Sequence, residues 1–541
     1  MALNKVDPVL AALRNSAVVL LGAALRELFP SLQLIGGRVT AHGFVYTVSA
    51  DFPLDAQALP LIEERMRAIV NRGAEVVSRE MLATNAAEYF RYRHQQVKAD
   101  LLEQQGSQLI SLLQLGEFLD LAPFPHVQEC GQLRAFRLLS VGEKNAKFQI
   151  TGTIQTDERS LKSFIRRLKE SREKGHCHLG RDLDLFSLQA ERSHVCLWHP
   201  KGELLRRLIL DGWKTSMTAL GFQPVSTTGF EAGTDPGLRA NRAVRHAGLY
   251  RTAMRSYRHL PLGYVESSEV YAMENVESQC GLLSLPVHTL PEGTLFCRPD
   301  QVLEGLTALV KCIQAMLEGG GFQTKVYLTS GTVPARNQAL QWFQEALREG
   351  AVNFEPDQDE WAEDGPRVNF RIVDALGCEW LGPSLQINLA LPEVLKLYYQ
   401  GADGMMHRPV MIAVQALGSL ERWIGLLLEK TGGALPFGLA PEQVRIIPIT
   451  QAQCDYAAEV QSSCEKAHLR VTVDTREERL AAKIFACEKA KVPFALILGD
   501  QEKRQNQVTV RHLGQGCAGK ALTLNDFLAS LLYKEGLTLP N

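Results

Sequence analysis

The chain contains 541 residues, a length that predicts about three or four domains at roughly 150 residues each. Apolar residues make up 45% of it and charged residues 22%, which excludes the disordered and fibrous classes of protein. Because the formal net charge is -2, the chain has no overall basic field, so any contact with nucleic acid must use local patches.

The first part of the chain alternates between helical and strand patterns. The apolar spacing predicts a helix over about residues 8–28, strands over Leu32–Val39 and Gly43–Ser49, and a second helix over Ala56–Asn71. The pattern changes near residue 180, after a charged helical stretch. We therefore expect an α+β domain over residues 1–180.

Two features bear on the cellular compartment. The apolar run Ala17–Ala24 is far shorter than the ~20 residues that a membrane span needs, so no membrane association is expected. The cysteines are scattered without CxxC pairs or a regular framework. Unpaired cysteines are typical of a reducing compartment, and we expect a cytoplasmic location.

The middle of the chain begins with a clear helical signal. Gln301–Leu317 predicts an amphipathic helix, and glycines 319–321 follow it. Such glycines fit a helix C-cap or a phosphate-binding loop, because both need a backbone with positive φ. We favour the cap.

Further along, the same region predicts a sheet. Val368–Val373 and Ser384–Leu389 have the composition of two strands around a turn at Gly377, and Val410–Leu428 has the pattern of a long helix. Residues 181–435 are therefore expected to form an antiparallel sheet with helices.

The last part of the chain, residues 436–541, alternates strands and helices with short connections. This pattern predicts a mostly parallel, three-layer α/β domain. The predicted elements are a strand at Val444–Ile449, a helix at Ala452–Ala467, a strand at Leu469–Asp474, a helix at Arg476–Lys489, and strands at Phe494–Leu498 and Gln507–Val510.

Several strings of residues resemble one family. APEQVRIIPIT (Ala440–Thr450), VDTREERLAAKI (Val473–Ile484) and KVPFALILGDQE (Lys491–Glu502) are similar to the anticodon-binding domain of threonyl-tRNA synthetases. HRPVMIAVQALGSLERWIG (His407–Gly425) resembles the motif 3 helix of that family, and GPRVNFRIVDALGCEWLGPSLQINL (Gly365–Leu389) resembles its ATP-side strands.

The rest of the chain extends the resemblance. SYRHLPL (Ser256–Leu262) is similar to the segment before motif 2, and LRNSAVVLLGAALRELFP (Leu13–Pro30) and GEFLDLAPFPHV (Gly116–Val127) resemble the editing domain. The resemblance implies an editing-like α+β domain, a class II synthetase antiparallel-sheet domain and an α/β anticodon-binding domain, within the boundaries given above.

The family's adenylation chemistry requires arginines, because negative charge builds up at the α-phosphate of ATP. Here the motif 2 arginine position carries Ala272, and Ser284 and Pro286 occupy two further arginine positions. The resemblance leaves a short set of residual ATP contacts, with ATP and magnesium expected only if the chain is active: Glu274, Gln386 and Arg422. Arg242, Arg245 or Arg367 remain alternatives that could replace the missing phosphate contacts.

Threonine selection in this family uses a zinc ion held by one cysteine and two histidines. The matching positions carry Ala243, Thr294 and Ala413, although the nearby His246 is present. A lone histidine is more often a packing residue than a ligand, so no zinc is expected.

Editing in the family uses a histidine pair on a helix and a cysteine and a histidine on a facing loop. The helix pair corresponds to Asn15 and Val19, and the cysteine to Ala122. Only Asp120 and His126 match the polar positions of the loop, so we expect a packed scaffold with Asp120 and His126 as residual editing-site candidates.

The anticodon-binding pattern is more complete. Glu502 and Arg511 match family positions that hydrogen-bond to anticodon bases, and an acceptor beside a forked donor suits base edges. Arg479 and Lys483 lie between them in sequence, where they could meet phosphates. The alternative is a solvated charged face without a ligand.

These motifs favour a catalytically inactive, threonyl-tRNA synthetase-like protein that binds tRNA, with tRNA for threonine as the first candidate. A homodimer, or pairing with a true synthetase, is a further expectation, although the motif 1 proline position falls near Thr228. One alternative is a divergent but active ATP-dependent ligase. Another is an interaction protein without a nucleic-acid partner.

Overall fold

The computed structural model forms two compact units, described one by one below. The first comprises Met1–Glu170 with Leu376–Glu379, and the second Ser171–Ala375 with Trp380–Asn541. The predicted boundaries near residues 180 and 435 stay predictions. The structure describes residues 4–5, 7–40, 42–50, 52–103, 106, 108–122, 125–144, 147–189, 195–227, 242–271, 281–330, 336–357, 365–513 and 519–535.

The first unit is an α+β structure, as predicted. Four strands form one antiparallel sheet in the order β2-β3-β8-β7, and β4-β5-β6 form a second antiparallel sheet. The elements are β1 (Asn4–Lys5), α1 (Pro8–Leu28), β2 (Gln33–Thr40), β3 (Gly43–Ser49), α2 (Leu59–Asn71), β4 (Val76–Leu82), α3 (Ala83–Tyr92), α4 (Gln96–Glu103), β5 (Leu109–Leu115), β6 (Phe118–Leu121), β7 (Phe136–Lys144), β8 (Lys147–Ile154) and α5 (Glu158–Lys174), which ends within the second unit.

Helix α1 forms the centre of the first unit's core. It begins at Pro8, after the N-cap Asp7, and its residues from Leu13 to Leu25 are all buried. Gly37 on β2 permits the close approach of the sheet, because a Cβ there would lie 2.2 Å from the side chain of Val18. The predicted helix over residues 8–28 is confirmed.

Helix α1 is also long and apolar enough to cross a membrane, by length and composition alone. However, 72% of its most apolar window is buried inside the unit. A helix that is apolar on all sides and enclosed by its own sheet has the properties of a core helix.

The second unit contains a large mixed sheet in the order β11-β12-β13-β20-β17-β16-β14-β15. The pairs β12–β13, β13–β20, β20–β17 and β14–β16 are antiparallel, as expected for this region. Its elements are α6 (His176–Asp182), β9 (Phe186–Leu188), β10 (Cys196–Trp198), α7 (Pro200–Ala219), β11 (Phe222–Pro224), α8 (Arg242–Arg251), β12 (Leu262–Tyr271), β13 (Val287–Cys297), α9 (Val302–Gly319), β14 (Gln323–Thr329), α10 (Arg336–Glu349), β15 (Glu355–Asp357), β16 (Arg367–Val373), β17 (Glu379–Asn388), α11 (Leu391–Val394), β18 (Tyr399–Gln400), β19 (Met406–His407), β20 (Val410–Gln415) and α12 (Leu420–Thr431).

One element of this sheet was predicted wrongly. The region Val410–Leu428 is not a single helix, because its first six residues form β20 and the helix begins only at Leu420. A turn separates the two, with Gly418 at φ +69° and the Ser419 side chain accepting a hydrogen bond from the Arg422 backbone. Apolar residues buried on both strand faces mimic a buried helix in sequence.

The glycines after α9 end the helix. Gly319 is its last residue, Gly320 keeps helical backbone angles, and Gly321 takes a φ of +64°. The predicted helix end is confirmed.

The C-terminal part of the second unit has its own sheet, in the order β22-β21-β23-β24-β25. Only β21, β22 and β23 are parallel, so the sheet is mixed rather than mostly parallel. Helices α13 and α16 pack in one apolar cluster and α14 in another, which gives the predicted three layers. The elements are β21 (Val444–Pro448), α13 (Cys454–Lys466), β22 (Val471–Val473), α14 (Leu480–Lys489), β23 (Phe494–Leu498), α15 (Asp500–Gln505), β24 (Gln507–His512), β25 (Lys520–Thr523) and α16 (Leu524–Glu535).

Phe527 joins α16 to this sheet, and its removal should loosen the C-terminal domain. It is 1% exposed, and its ring centroid lies 5.6 Å from that of Phe494. We expect Phe527→Ala to destabilise the domain by about 3–5 kcal/mol, through lost apolar contacts and a cavity. Hydrogen exchange measured by mass spectrometry should rise between residues 443 and 533. Phe485→Ala is the control, because Phe485 is 67% exposed; equal effects of the two variants would contradict the prediction.

Candidate functional site

The three positions that correspond to zinc ligands converge on one face of the large sheet. Thr294 on β13 and Ala413 on β20 are direct register partners. Ala243 lies on α8, one turn before His246, whose Nδ1 is 2.8 Å from Thr294 Oγ1. The structure therefore brings together the positions that the sequence singled out.

A hydrogen-bonded network occupies this place. His246 is fully buried, and its Nε2 lies 3.4 Å from Glu266 Oε1, whose carboxylate also accepts hydrogen bonds from the backbone and hydroxyl of Thr227. Burial alone would raise the pKa of Glu266, but the proximity of His246 and the hydrogen bonds from Thr227 outweigh it and lower the pKa to about 2. Among the residues that the structure describes, no group of histidine, cysteine and acidic side chains could hold a metal ion.

One of the predicted ATP contacts, Gln386, lies on the same face. Gln386 on β17 is the register partner of Ala413, and its Oε1 accepts a hydrogen bond of 2.8 Å from Nη2 of Arg367. Arg367, one of the arginines that could replace the missing phosphate contacts, is therefore already engaged by Gln386. Glu274 lies outside the described residues.

Arg422 is held by the protein backbone. Its Nε donates to the Leu283 carbonyl at 3.0 Å and its Nη1 to the Leu381 carbonyl at 2.7 Å. Burial lowers the pKa of Arg422 to about 10, with Glu421 opposing the shift and the charge of Arg371 adding to it. Within the described part of the chain, two carbonyls and no carboxylate hold the guanidinium, and these two bonds do not use its second terminal nitrogen, Nη2.

The editing-like positions meet in the first unit. The Asn15 amide on α1 donates to the Pro125 carbonyl at 3.0 Å, and Ser16 accepts a hydrogen bond from the Val127 backbone. Val19 is fully buried, and Nε2 of His126 lies 3.0 Å from the Ala122 carbonyl. The loop after β6 is therefore fixed to the helix by structural hydrogen bonds.

Asp120 belongs to a buried cluster that the sequence did not indicate. Its carboxylate accepts hydrogen bonds from the Tyr46 hydroxyl, the Leu121 backbone and the Lys98 ammonium, the last at 2.5 Å. Lys98 and Asp120 are each 1% exposed, and removing one partner of such a pair typically costs about 3–5 kcal/mol. Burial, followed by the charge of Asp120, raises the pKa of Tyr46. The only sequence signal was a lysine on the apolar side of α4, four residues before the buried Leu102.

Lys98 also lines a cavity of about 560 Å³ in the first unit. The walls include the apolar side chains of Phe90 and Leu115, and arginines 26, 72 and 93. The volume would hold a small organic ligand. Asp120 and the vacated histidine positions are not among its lining residues.

In the C-terminal domain, Glu502 and Arg511 share one side of the sheet. The Glu502 carboxylate accepts hydrogen bonds from the Gly499 backbone and from the Thr509 hydroxyl. Thr509 and Arg511 are two residues apart on β24 and so face the same way. Arg511 forms an ion pair of 2.6 Å with Glu488 on α14. The structure therefore brings the two predicted base-reading residues together, although both have partners within the protein.

The two predicted phosphate contacts differ from each other. Arg479 is exposed at the N-cap of α14. Lys483 is 3% exposed, and its ammonium donates to the carbonyls of Pro448 and Asp474. The prediction for Lys483 is therefore wrong, because its charge is enclosed where no phosphate can reach it.

Comparisons with known proteins agree with this architecture. Residues 230–431 match the family described as tRNA synthetase class II core domain (G, H, P, S and T), and residues 443–533 match the anticodon binding domain. The RNA binding domain of threonyl-tRNA synthetase from Cryptosporidium parvum superimposes with a TM-score of 0.60 at 22% identity, over 66% of this chain and 98% of that one. A prolyl-tRNA synthetase from the same organism gives 0.51 at 13% identity, over 67% and 77%. At these identities the likeness shows the fold, and the predicted fold class is confirmed.

Sequence relatives extend over nearly the whole chain. A threonine–tRNA ligase of Clostridium botulinum (strain Loch Maree) is 30% identical over 96% of this chain and 88% of its own length. The corresponding ligase of Clostridium kluyveri is 29% identical over 96% and 87%. With this identity and coverage, two domain matches and the same fold, the chain belongs to the threonyl-tRNA synthetase family.

Proposed function

We propose that this chain is a threonyl-tRNA synthetase-like protein that does not activate threonine and that binds tRNA through its C-terminal domain. The observation that carries the first part is the pairing of Thr294 with Ala413 on the sheet face. A hydroxyl and a methyl group stand where zinc would need two imidazoles, and the nearby His246 already contacts Thr294. Without zinc, the pocket has no means of reading the amino group and hydroxyl of threonine together.

The residues at the positions that would contact the phosphates of ATP support the same proposal. The sequence carries alanine, serine and proline at the three arginine positions, Ala272, Ser284 and Pro286. Arg422 is tied to two carbonyls and Arg367 to Gln386. The alternative, a divergent adenylating ligase, would have to stabilise the negative charge of its transition state with these groups alone.

Threonine-dependent exchange of pyrophosphate into ATP measures adenylation without tRNA. We expect a rate at least about 10³-fold below that of a related active ligase, because loss of one donor to the transition state already costs about 10²–10³-fold. The assay should use zinc- and magnesium-supplemented protein, with the Clostridium botulinum relative as the positive control. A rate within tenfold of that relative would overturn the proposal in favour of an active ligase.

Restoring the three ligand types should restore metal binding. We expect the natural chain to contain little zinc, and the triple variant Ala243→Cys, Thr294→His, Ala413→His to bind about one zinc ion per chain, because the three positions converge. Metal analysis of purified protein gives the stoichiometry. The double variant without Ala413→His is the control and should bind zinc more weakly. Stoichiometric zinc in the natural chain would contradict the proposal.

The tRNA half of the proposal rests on the surface formed by Glu502, Thr509 and Arg511, which we call the β24 surface. The Glu502 carboxylate and the Arg511 guanidinium lie on one side of β24. The exposed Arg479 is the N-cap of α14, the helix that also carries Glu488, the ion-pair partner of Arg511. A carboxylate beside a guanidinium provides an acceptor and donors for the edges of unpaired bases. Self-association, or pairing with an active synthetase in the cytoplasm, remains part of the same proposal.

Substitution of Arg511 should weaken tRNA binding selectively. We expect Arg511→Gln to weaken binding of a threonine tRNA by roughly 5- to 150-fold, the equivalent of about 1–3 kcal/mol for one base contact. Fluorescence anisotropy at a fixed salt concentration measures this, since salt alone changes such affinities. The control is Lys466→Gln. Lys466 is exposed at the end of α13, and this helix packs on the other face of the sheet. Equal losses for both variants, or no tRNA binding by the natural chain, would refute the role of the β24 surface.

A further inference from the structure

A serine, a histidine and an aspartate form a chain of hydrogen bonds just before α7. The Oγ of Ser187, on β9, lies 3.1 Å from Nε2 of His199. The other ring nitrogen of His199, Nδ1, lies 2.6 Å from Oδ1 of Asp184. Both distances fall within the range of about 2.6–3.2 Å at which a nucleophile meets its base and the base meets the group that orients it. The three residues belong to none of the sites described above.

The hairpin of β9 and β10 turns this serine outward. Phe186 and Trp198 are register partners whose ring centroids lie 5.2 Å apart, and Phe186 is buried. Because side chains alternate between the faces of a strand, Ser187 and its register partner Leu197 point to the opposite face. Leu197 is 45% exposed, so this face is open to solvent. A reagent can therefore approach the Ser187 hydroxyl from this side.

The backbone holds His199 and Asp184 next to each other. The His199 amide donates to the Leu185 carbonyl at 2.9 Å, which places His199 beside the residue that follows Asp184. Asp184 has a φ of +56°, a left-handed conformation that is uncommon for a residue other than glycine. His199 is the N-cap of α7, but within the described part of the chain its side chain makes no capping hydrogen bond. The imidazole is thus turned towards Asp184 and Ser187 and away from its own helix.

The hydrogen bonds also define where the protons lie. An ionised carboxylate only accepts hydrogen bonds, so Nδ1 of His199 carries the proton that it shares with Asp184. In a neutral imidazole Nε2 then has a lone pair, which can accept the proton of the Ser187 hydroxyl. An ordinary surface serine has no such base beside it.

We propose that Ser187, His199 and Asp184 form an acyl-transfer site for small activated esters. Nε2 of His199 takes the proton of Ser187 while Oγ bonds to the ester carbonyl carbon, and it returns that proton to the alcohol oxygen as the ester bond breaks. Water then attacks the acyl carbon and gives a proton to His199, and the Ser187 oxygen leaves with that proton. Ester and water thus become acid and alcohol. Ser187 and His199 are the catalytic residues, and Asp184 positions the imidazole.

The same geometry limits the substrate and the rate. Leu197 is the apolar neighbour of Ser187 on the exposed face, which suits a short acyl chain. The Asp184 side chain is 66% exposed and that of His199 31%, so water competes for the hydrogen bond between them. We therefore expect slow turnover that is measurable with reactive esters. This activity does not depend on whether threonine is activated or tRNA is bound.

A fluorophosphonate reagent tests the nucleophile in the full chain. Oγ of Ser187 should bond to phosphorus as fluoride leaves, with the proton taken up by His199. Peptide mass spectrometry should show Ser187 labelled at least about tenfold faster than Ser216, because general-base catalysis typically contributes about 10²–10⁴-fold. Ser216 is the matched control, since it is also half-buried but its hydroxyl donates to the Gly212 carbonyl. Equal labelling of the two serines would overturn the proposal.

Three variants test the roles of the individual residues. We expect Ser187→Ala to lower the hydrolysis of p-nitrophenyl acetate, and His199→Gln and Asp184→Asn to slow the labelling of Ser187, each at least about tenfold. Asparagine tolerates the left-handed backbone of position 184, so Asp184→Asn should keep the melting temperature of the natural chain. Hydrolysis by Ser187→Ala at the rate of the natural chain, or labelling of Ser187 at an unchanged rate in His199→Gln, would overturn the proposal.

Discussion

The register of β13 against β20 determines which side chains can meet on the sheet of the second unit. Because side chains alternate between faces, a slip of β20 by one residue would turn Ala413 to the opposite face, away from Thr294 and Gln386. The buried apolar residues on the opposite face, such as Ile412 and Leu385, make that slip costly. Core packing therefore keeps Thr294, Ala413 and Gln386 on one face of the sheet, whichever residues occupy that face.

Because core packing sets the register, the residues on the polar face can vary without loss of the scaffold. A histidine left alone in an apolar core would have an unsatisfied ring nitrogen. Here the Thr294 hydroxyl meets one nitrogen of His246, and Glu266 lies near the other while Thr227 holds its carboxylate. One ring nitrogen of His246 is thus hydrogen-bonded, and the other lies 3.4 Å from the Glu266 carboxylate without forming a hydrogen bond.

The buried cations elsewhere in the chain differ in how they are paired. Lys98 is matched by Asp120, and Arg445 by Glu442. Lys483 has no carboxylate, but two carbonyls accept its hydrogen bonds. Each of these cations has acceptors supplied by the protein itself. Arg371 is the exception in this comparison, since two of its enclosed nitrogens face no acceptor among the described residues.

The sequence predicted what depends on local pattern and on residue identity at a matched position. The helix over residues 8–28, the three layers of the C-terminal domain and the convergence of Ala243, Thr294 and Ala413 fall in this group. The strand at Val410–Gln415 was missed because residues buried on both faces carry no alternation. Hydrogen bonds between residues far apart in the sequence also could not be predicted, as for Asp120 with Lys98 and Tyr46.

On the β24 surface, contacts that stabilise the fold involve the same side chains that we propose to bind tRNA. Glu502 caps the short helix α15 through the Gly499 backbone, so its carboxylate would be needed for stability even without RNA. A carboxylate oxygen can accept more than one hydrogen bond, and this leaves capacity for a base after the cap is formed. Arg511 differs, because its partner Glu488 is 44% exposed and so gains little from the ion pair in water. A base edge that replaces Glu488 would therefore displace a weak contact, which makes Arg511 the residue of this surface that is most available to a ligand.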